Sequence, residues 1–246
     1  MISFSVLVLC AVGFSTAAKL PSAFPKCKRT DPNLEQCLVS AVSDSVPTLV
    51  KGVPNLGLIP IDPLRVTRLD IDQGDGPVAL DLKFRDIDII NIGSVKVNSV
   101  KADIENYKIE IDTTMSKPLI IDGDYEIDGK VLVLPITGKG KSHLELDNVH
   151  STLYLQGKEV TKDGRKYMEL VDLKVKFETT RLRVNFENLF NNDKALGNQM
   201  NAFLNENWKE ILQEIQPAVE EALGQAFKEI ARRLFSKVPY DDIFLK

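Results

Sequence analysis

The sequence predicts an α+β fold in which a long C-terminal helix packs against a large antiparallel β-sheet, with a short helix near the N-terminus. Two observations lead to this prediction. Apolar residues recur at steps of three and four through the last fifth of the chain, which is the period of an amphipathic helix. From about residue 65 to residue 186 the period is two, as in strands with one buried and one solvated face.

The N-terminal residues 1–18 are predicted to be a secretory signal peptide. Residues 2–14 form an apolar stretch that is followed by the small residues Ser15, Thr16, Ala17 and Ala18, as at a cleavage site. An uncleaved anchor is the alternative, but the stretch is short for a membrane span, and no later segment offers about 18 uninterrupted apolar residues. We therefore expect one exported domain over residues 19–246, with no stable membrane insertion.

The predicted mature chain keeps two cysteines, Cys27 and Cys37, because the third lies within the signal. In an exported protein this even pair predicts a disulfide, and two free thiols are the alternative. Asp31 and Pro32 are typical of a helix start, and Gly52 is expected to end that first helix. The disulfide would then join the N-terminal arm to the beginning of the helix.

The central region contains several segments in which apolar side chains alternate with charged or polar ones. The pairs Asp128-Gly129 and Asp163-Gly164 are typical of hairpin turns. No helical pattern interrupts the region, which favours an antiparallel sheet over a parallel sheet with crossover helices. The alternating apolar residues are Leu80, Leu82, Phe84, Val171, Leu173, Val175, Phe177, Leu182, Val184 and Phe186.

The segment from residue 119 to residue 136 is the clearest hairpin, with its turn expected at Asp128-Gly129. Its dry face consists of Leu119, Ile121, Tyr125, Ile127, Leu132, Leu134 and Ile136. The other face of its first strand carries the carboxylates of Asp122, Asp124, Glu126 and Asp128. A calcium loop that starts at Asp124 would need glutamate at the position of Pro135, so we interpret these carboxylates as a solvated strand face.

The C-terminal stripe predicts a single helix of about forty residues, roughly 60 Å long. Asp193, Asn191 or Asn192 can cap its start, and Pro217 is expected to kink it. Such a helix beside a one-sided sheet favours an elongated molecule, which can enclose an apolar space along its axis. The stripe consists of Phe203, Leu204, Trp208, Ile211, Leu212, Ile215, Val219, Leu223, Phe227, Ile230 and Leu234.

The sequence contains no nucleophile elbow, zinc-protease motif or dinucleotide fingerprint, so it gives no sign of an enzyme or of a cofactor. The two histidines, His143 and His150, do not have the spacing of a metal signature, and no metal site is expected. Lys and Arg are scattered through a chain with a net charge of −4. Neither nucleic-acid binding nor attraction to anionic membranes is therefore expected.

Several motifs follow one another along the chain. They are the segment Ile59-Pro60-Ile61-Asp62-Pro63, the run DGDYEIDGKVLVLPI-x-GxG at 122–140, N-x-x-N-L-F at 185–190, M-N-x-F-L-N-E-N-W at 200–208 and P-Y-D-D-I-F at 239–244. Together with the predicted export and the cysteine pair, these motifs resemble the insect takeout and haemolymph juvenile-hormone-binding protein family. The resemblance covers essentially the whole mature chain.

The resemblance implies a long helix wrapped by a highly curved antiparallel sheet, related to tubular lipid-binding domains, with an internal tunnel for a hydrophobic ligand. It implies a secreted, non-catalytic carrier in a haemolymph-like fluid. The ligand would be an isoprenoid, juvenile-hormone-like or fatty-acid-like molecule, and the roles circadian, feeding or chemosensory. The predicted lining consists of Leu80, Leu82, Phe84, Ile121, Tyr125, Leu132, Leu134, Val175, Phe177, Val184, Phe186, Phe203 and Trp208. Tyr125 is the expected polar anchor, because a hydroxyl on the dry face needs a partner.

Some interpretations stay open at this point. Each inward residue can simply fill a core, since protein interiors close to crystal-like density. Asn201, Asn205 and Asn207 can close one end of a tunnel or cap surface turns, and we favour the second role. The alternative function is a signalling or interaction protein that holds a structural lipid and acts through a receptor or partner. A lipid-directed antimicrobial and a lipid esterase rank lower, because the chain is acidic and lacks catalytic motifs.

Overall fold

The computed structural model describes residues 19–74 and 76–246, so the predicted signal peptide lies outside the described residues. Short 3-10 turns occur at Pro54–Leu56, Ile92–Ser94 and Phe190–Asn192. The strands are β1 (Cys27–Lys28), β2 (Leu64–Gln73), β3 (Val78–Ile90), β4 (Val95–Asp103), β5 (Lys108–Met115), β6 (Leu119–Val131), β7 (Leu134–Asp147), β8 (His150–Lys162), β9 (Arg165–Glu178), β10 (Arg181–Phe186) and β11 (Phe244–Leu245). The helices are α1 (Leu34–Lys51), α2 (Lys194–Glu206), α3 (Trp208–Lys237) and α4 (Tyr240–Ile243).

The long strands form two antiparallel sheets. The first sheet has the strand order β10-β7-β6-β3-β2, and the second has the order β4-β5-β8-β9. A helix lies beside every edge strand: α2 beside β10, α1 beside β4, and α3 beside both β2 and β9. The predicted architecture, a long C-terminal helix wrapped by strongly curved antiparallel strands with a shorter N-terminal helix, is confirmed. Helices that cover sheet edges also prevent edge-to-edge aggregation.

The N-terminal helix begins later than predicted. Its first residue is Leu34 and its N-cap is Asn33, so Asp31 does not cap it. The Asp31 carboxylate instead accepts a hydrogen bond from the backbone N–H of Asn33, at 2.8 Å, in the turn that precedes the helix. The helix continues through Pro47 and ends before Gly52, where φ is 79°. A positive φ is the conformation that favours glycine at a helix C-terminus.

The first and last strands of the described chain pair with each other. A disulfide joins Cys27 to Cys37, as predicted, with their Cα atoms 5.9 Å apart. It connects β1 to α1, and β1 in turn pairs in parallel with β11, where Cys27 lies opposite Phe244. Arg29 forms an ion pair with Asp241 and donates a hydrogen bond to the Phe244 carbonyl. The N-terminal arm and the C-terminal segment therefore stabilise each other.

The β6–β7 hairpin turns at a different place from the one predicted. Asp128-Gly129 lies inside β6, and the two-residue turn is Leu132-Val133. Gly129 adopts φ 145°, and a Cβ at this position would lie 2.3 Å from the carbonyl oxygen of Ala79 in β3. The glycine is therefore required by the close approach of two strands and not by a turn.

The β8–β9 hairpin confirms its predicted turn but contains an irregularity. Asp163 and Gly164 form the turn, with φ values of 49° and 72°, as two-residue hairpins prefer. Further along, the register shifts beside Gly157. Val171 is the extra residue of this β-bulge and is 46% exposed, although the alternation predicts that it faces the interior. A bulge moves every following residue to the other face.

The C-terminal apolar stripe is divided between two helices and does not form a single long one. The Asp193 side chain caps α2 by accepting hydrogen bonds from the N–H groups of Ala195 and Leu196. At Asn207 the backbone leaves the helical conformation, with φ −104° and ψ 18°, before α3 begins. The second helix then continues across Pro217 for the rest of its 30 residues. No helix in the described ranges has the length and apolar character to cross a membrane.

Candidate ligand-binding interior

The predicted lining residues fall into three groups in the structure. The residues that are closely packed as core are Leu80, Leu82, Phe84, Tyr125, Val175, Phe177 and Phe186. The residues that face inward but are only partly buried are Ile121, Val184, Phe203 and Trp208. Leu132 and Leu134 lie at the β6–β7 turn, with Leu132 partly buried and Leu134 37% exposed. The turn comes four residues later than expected, so Leu134 directly follows it and is exposed at the end of the hairpin.

A row of partly buried apolar side chains crosses the middle of the first sheet. Ile121 of β6 lies opposite Leu144 of β7, and Leu144 lies opposite Val184 of β10. All three point towards α3, where Ile215 and Val219 belong to the same apolar cluster. The three strand residues keep solvent-accessible surface although their strands pair on both sides or are covered by α2. Neighbouring core residues of the same sheet expose far less surface than these three residues.

Tyr125 is fixed by the protein itself. Its hydroxyl donates a hydrogen bond to the Glu187 carbonyl oxygen at 2.6 Å, and its ring centroid lies 4.5 Å from that of Phe186. Burial raises the pKa of the Tyr125 hydroxyl to about 12, and the nearby Glu187 charge adds to the increase. The Tyr125 hydroxyl therefore already donates its hydrogen bond to the segment that follows β10. It is not free to donate to a ligand, as the predicted polar anchor would be.

Two amide side chains of α2 pair with the free edge of β10. The Asn205 Oδ1 accepts from the Val184 N–H at 2.9 Å and its Nδ2 donates to the Val184 carbonyl at 2.7 Å. Asn201 makes the same two bonds with Phe186, both at 2.9 Å. Arg181 also donates to the Asn205 carbonyl at 3.0 Å. Asn201 and Asn205 thus neither close a tunnel end nor cap a turn; they replace a missing neighbouring strand.

A similar arrangement covers the edge of β9. Gln216 Nε2 of α3 donates to the Phe177 carbonyl at 2.7 Å, and the Phe177 N–H donates to Glu220 Oε1 at 3.4 Å. Glu220 is 6% exposed, and its carboxylate also forms an ion pair with Lys176. Pairs of residues separated by one helical turn therefore bind the backbone of the edge strands β10 and β9.

Each of the two histidines lies beside one aspartate on the outside of a sheet. His143 Nδ1 is 2.6 Å from Asp122, and His150 Nε2 is 2.7 Å from Asp112. Across residues 19–74 and 76–246, no group of three His, Cys, Asp or Glu side chains is placed to hold a metal ion. The calcium interpretation of the β6 carboxylates likewise finds no support, because Lys139 and Lys141 neutralise Glu126 and Asp124.

Two surface clefts beside α1 have volumes of about 610 and 710 Å³. Their walls carry charged residues, including Lys101 and Asp172 in the first and Arg29 and Glu159 in the second. Sites for small lipophilic molecules are lined mainly by apolar side chains with few polar groups. The apolar interior between the first sheet and α3 is therefore the better candidate site for such a ligand.

Comparisons with known proteins agree with this architecture. The circadian clock-controlled protein daywake of Drosophila melanogaster is 27% identical over 92% of this chain and 88% of its own. A Schistocerca gregaria protein named for beta-carotene binding is 24% identical, over 87% of this chain and 85% of its own. The crystal structure of Epiphyas postvittana Takeout 1 matches with a TM-score of 0.77 and 27% identity, covering 90% of this chain and 100% of that one. The family model of haemolymph juvenile hormone binding protein matches residues 5–245, so the chain belongs to this family of binding proteins, which are not enzymes.

Proposed function

We propose that this protein is a secreted carrier that binds one small hydrophobic ligand, isoprenoid-like or fatty-acid-like, between the first sheet and α3. The observation that supports this most directly is the row Ile121, Leu144 and Val184. These side chains face inward in the middle of the sheet and are still only partly buried. An apolar surface that the protein's own atoms leave incompletely covered is suited to an apolar ligand.

The relatives support the same class of ligand. One is named for the binding of beta-carotene, a long isoprenoid, and the family is named for juvenile hormone. Burial of a ligand of about fifteen carbons would contribute up to about 12 kcal/mol at ~0.8 kcal/mol per methylene group. The loss of translational and rotational freedom opposes this gain, and micromolar to nanomolar dissociation constants are the expected result. Residues 1–18 serve as the export signal in this proposal.

A cavity-filling substitution tests the position of the ligand. Leu144→Trp places a large ring in the middle of the partly buried row, and Val171→Trp adds the same ring at the exposed bulge of β9. The apolar fluorophore N-phenyl-1-naphthylamine is titrated into each protein and then displaced with farnesol or palmitate. We expect Leu144→Trp to weaken binding about tenfold or more, and Val171→Trp to bind as the wild type does.

Two results would overturn this proposal. One is a wild-type protein that, after extraction with organic solvent, gives no displaceable fluorophore signal. The other is a Leu144→Trp protein with a wild-type circular dichroism spectrum and an unchanged dissociation constant, which would place any ligand elsewhere. Mass spectrometry of lipids that copurify with the wild-type protein then identifies the native ligand.

A second candidate function is a signalling protein in which the lipid is structural and a partner surface carries the activity. The similarity to daywake, a clock-controlled protein, favours it. The Leu144→Trp variant separates the two functions in the animal. A carrier loses its physiological effect when it loses ligand binding, whereas a signalling protein that remains folded keeps it.

A further inference from the structure

The tip of the β6–β7 hairpin presents apolar side chains to solvent. Val133 is 86% exposed and Leu134 is 37% exposed, while Pro135 follows on the exposed side. Leu132, the first residue of the turn, has φ 55°, in the left-handed region. The four residues at 132–135 therefore form an uncharged apolar cap, which we call the hairpin tip.

The residues of the hairpin tip are not the ones that its turn conformation favours. Two-residue hairpin turns with positive φ favour asparagine, aspartate and glycine, because bulky side chains are strained there. Leu132 adopts this conformation nevertheless, and the Val133 side chain remains almost fully exposed. The other long hairpin follows the rule with Asp163 and Gly164. Leu132 packs against the inner apolar cluster, whereas the exposed Val133 gains no such packing. Residues that oppose local preference are expected at functional sites.

The charges behind the tip are arranged as a neutral stem. On the outer face, Lys141 pairs with Asp124 at 2.6 Å and Lys139 pairs with Glu126 at 3.2 Å. Lys130 lies nearer to the tip, opposite Pro135, and among the described residues no carboxylate lies within ion-pair distance of its ammonium group. Asp128 lies on the same face between Glu126 and Lys130, so the outer charges of the stem balance before the apolar end. A lysine beside an apolar end can reach the polar headgroups of a bilayer.

We propose that the hairpin tip docks reversibly on a zwitterionic phospholipid surface and inserts Val133 and Leu134 among the headgroups. A second copy of the chain is a poorer occupant, because a stable interface needs about 800 Å² per partner and a convex two-residue turn offers far less. Leu132 packs against the inner apolar cluster of the first sheet, whose buried members include Val131 and Ile136. The tip therefore connects a lipid surface to the interior in which the ligand is proposed to bind.

The experiment uses the full mature chain and sonicated phosphatidylcholine vesicles at millimolar lipid concentration. Flotation measures the bound fraction of wild type, Val133→Asp and the matched control Val171→Asp, which changes an exposed valine of the β9 bulge. We expect Val133→Asp to lower the partition coefficient about tenfold and Val171→Asp to leave it unchanged. Because Val133 is exposed, the unfolding midpoint of both variants should equal that of the wild type.

A fluorescent reporter makes the insertion visible. Val133→Trp should shift its emission to shorter wavelength when phosphatidylcholine vesicles are added, whereas Val171→Trp should not. Absence of wild-type flotation together with an unshifted Val133→Trp spectrum would overturn the proposal. So would binding that requires anionic lipid and disappears in salt, or concentration-dependent dimerisation that Val133→Asp abolishes. Fluorophore binding in solution is measured separately and is expected to be unchanged in Val133→Asp, so a failure of docking leaves the proposed carrier function intact.

Discussion

Removal of the amide side chains that cover β10 should destabilise the fold more than any other surface change on α2. Asn201→Ala and Asn205→Ala each remove two hydrogen bonds to the backbone of β10, at 2.7–2.9 Å. At about 1 kcal/mol of net stability per bond, each variant should lose about 2 kcal/mol and the double variant about 4 kcal/mol. Total stabilities of native proteins are only about 5–15 kcal/mol, so the effect is large.

The assay is urea unfolding followed by circular dichroism, with Asn198→Ala as the control. Asn198 is exposed on the same helix, so this variant measures the change in helix propensity alone and should stay within about 0.5 kcal/mol of the wild type. The double variant also uncovers the edge of β10 and should form oligomers as its concentration rises. Equal free energies of unfolding for Asn198→Ala and Asn205→Ala would refute the reasoning, because the edge bonds would then contribute nothing.

Two further predictions concern single positions. Gly129→Ala should lower the free energy of unfolding by about 2–4 kcal/mol, because its Cβ would meet the Ala79 carbonyl, whereas Gly164→Ala, with open space around it, should lose only about 1–2 kcal/mol in the same urea titration. Hydrogen bonds from the Asn98 amide and then from His150 hold the pKa of Asp112 below its usual value, so its contribution to stability is present at neutral pH and is lost as the pH falls below about 4. Asp112→Asn should therefore differ from the wild type at pH 7 and approach it at pH 3, and a constant difference would contradict this.

Local patterns predict the elements of this fold well, because each element obeys a rule that acts along the chain. The alternation at Leu80, Leu82 and Phe84 marks a one-sided strand, and those residues are 3–5% exposed. The Asp163-Gly164 pair marks a turn because the turn needs two residues with positive φ. Where the conformation of a residue is determined by contact with a residue distant in sequence, the local rule fails. Gly129 serves the close approach of β3, and its preceding aspartate therefore suggests a turn that does not exist.

The candidate site depends even more on contacts that no local period encodes. The apolar stripe is continuous across Asn207, so periodicity alone predicts one helix. The break is held by the Asn207 side chain and backbone, which both donate to the Phe203 carbonyl. The spacing of Asn201 and Asn205 by one helical turn is the one sequence signal of the edge pairing. This spacing can be interpreted only once the structure shows that Val184 and Phe186, two alternate residues of β10, lie opposite the two amides.

The edge hydrogen bonds also explain how a sheet whose middle row is only partly buried can belong to a stable fold. Asn201 and Asn205 fix α2 on β10, and Gln216 and Glu220 fix α3 on β9, through backbone groups at the border of both sheets. The position of the helices is then set at the edges and does not require close packing against the row around Leu144. In most domains the core must perform that task and closes to crystal-like density. Here the polar borders perform part of that task, and the proposed ligand site lies in the middle of the first sheet, away from these borders.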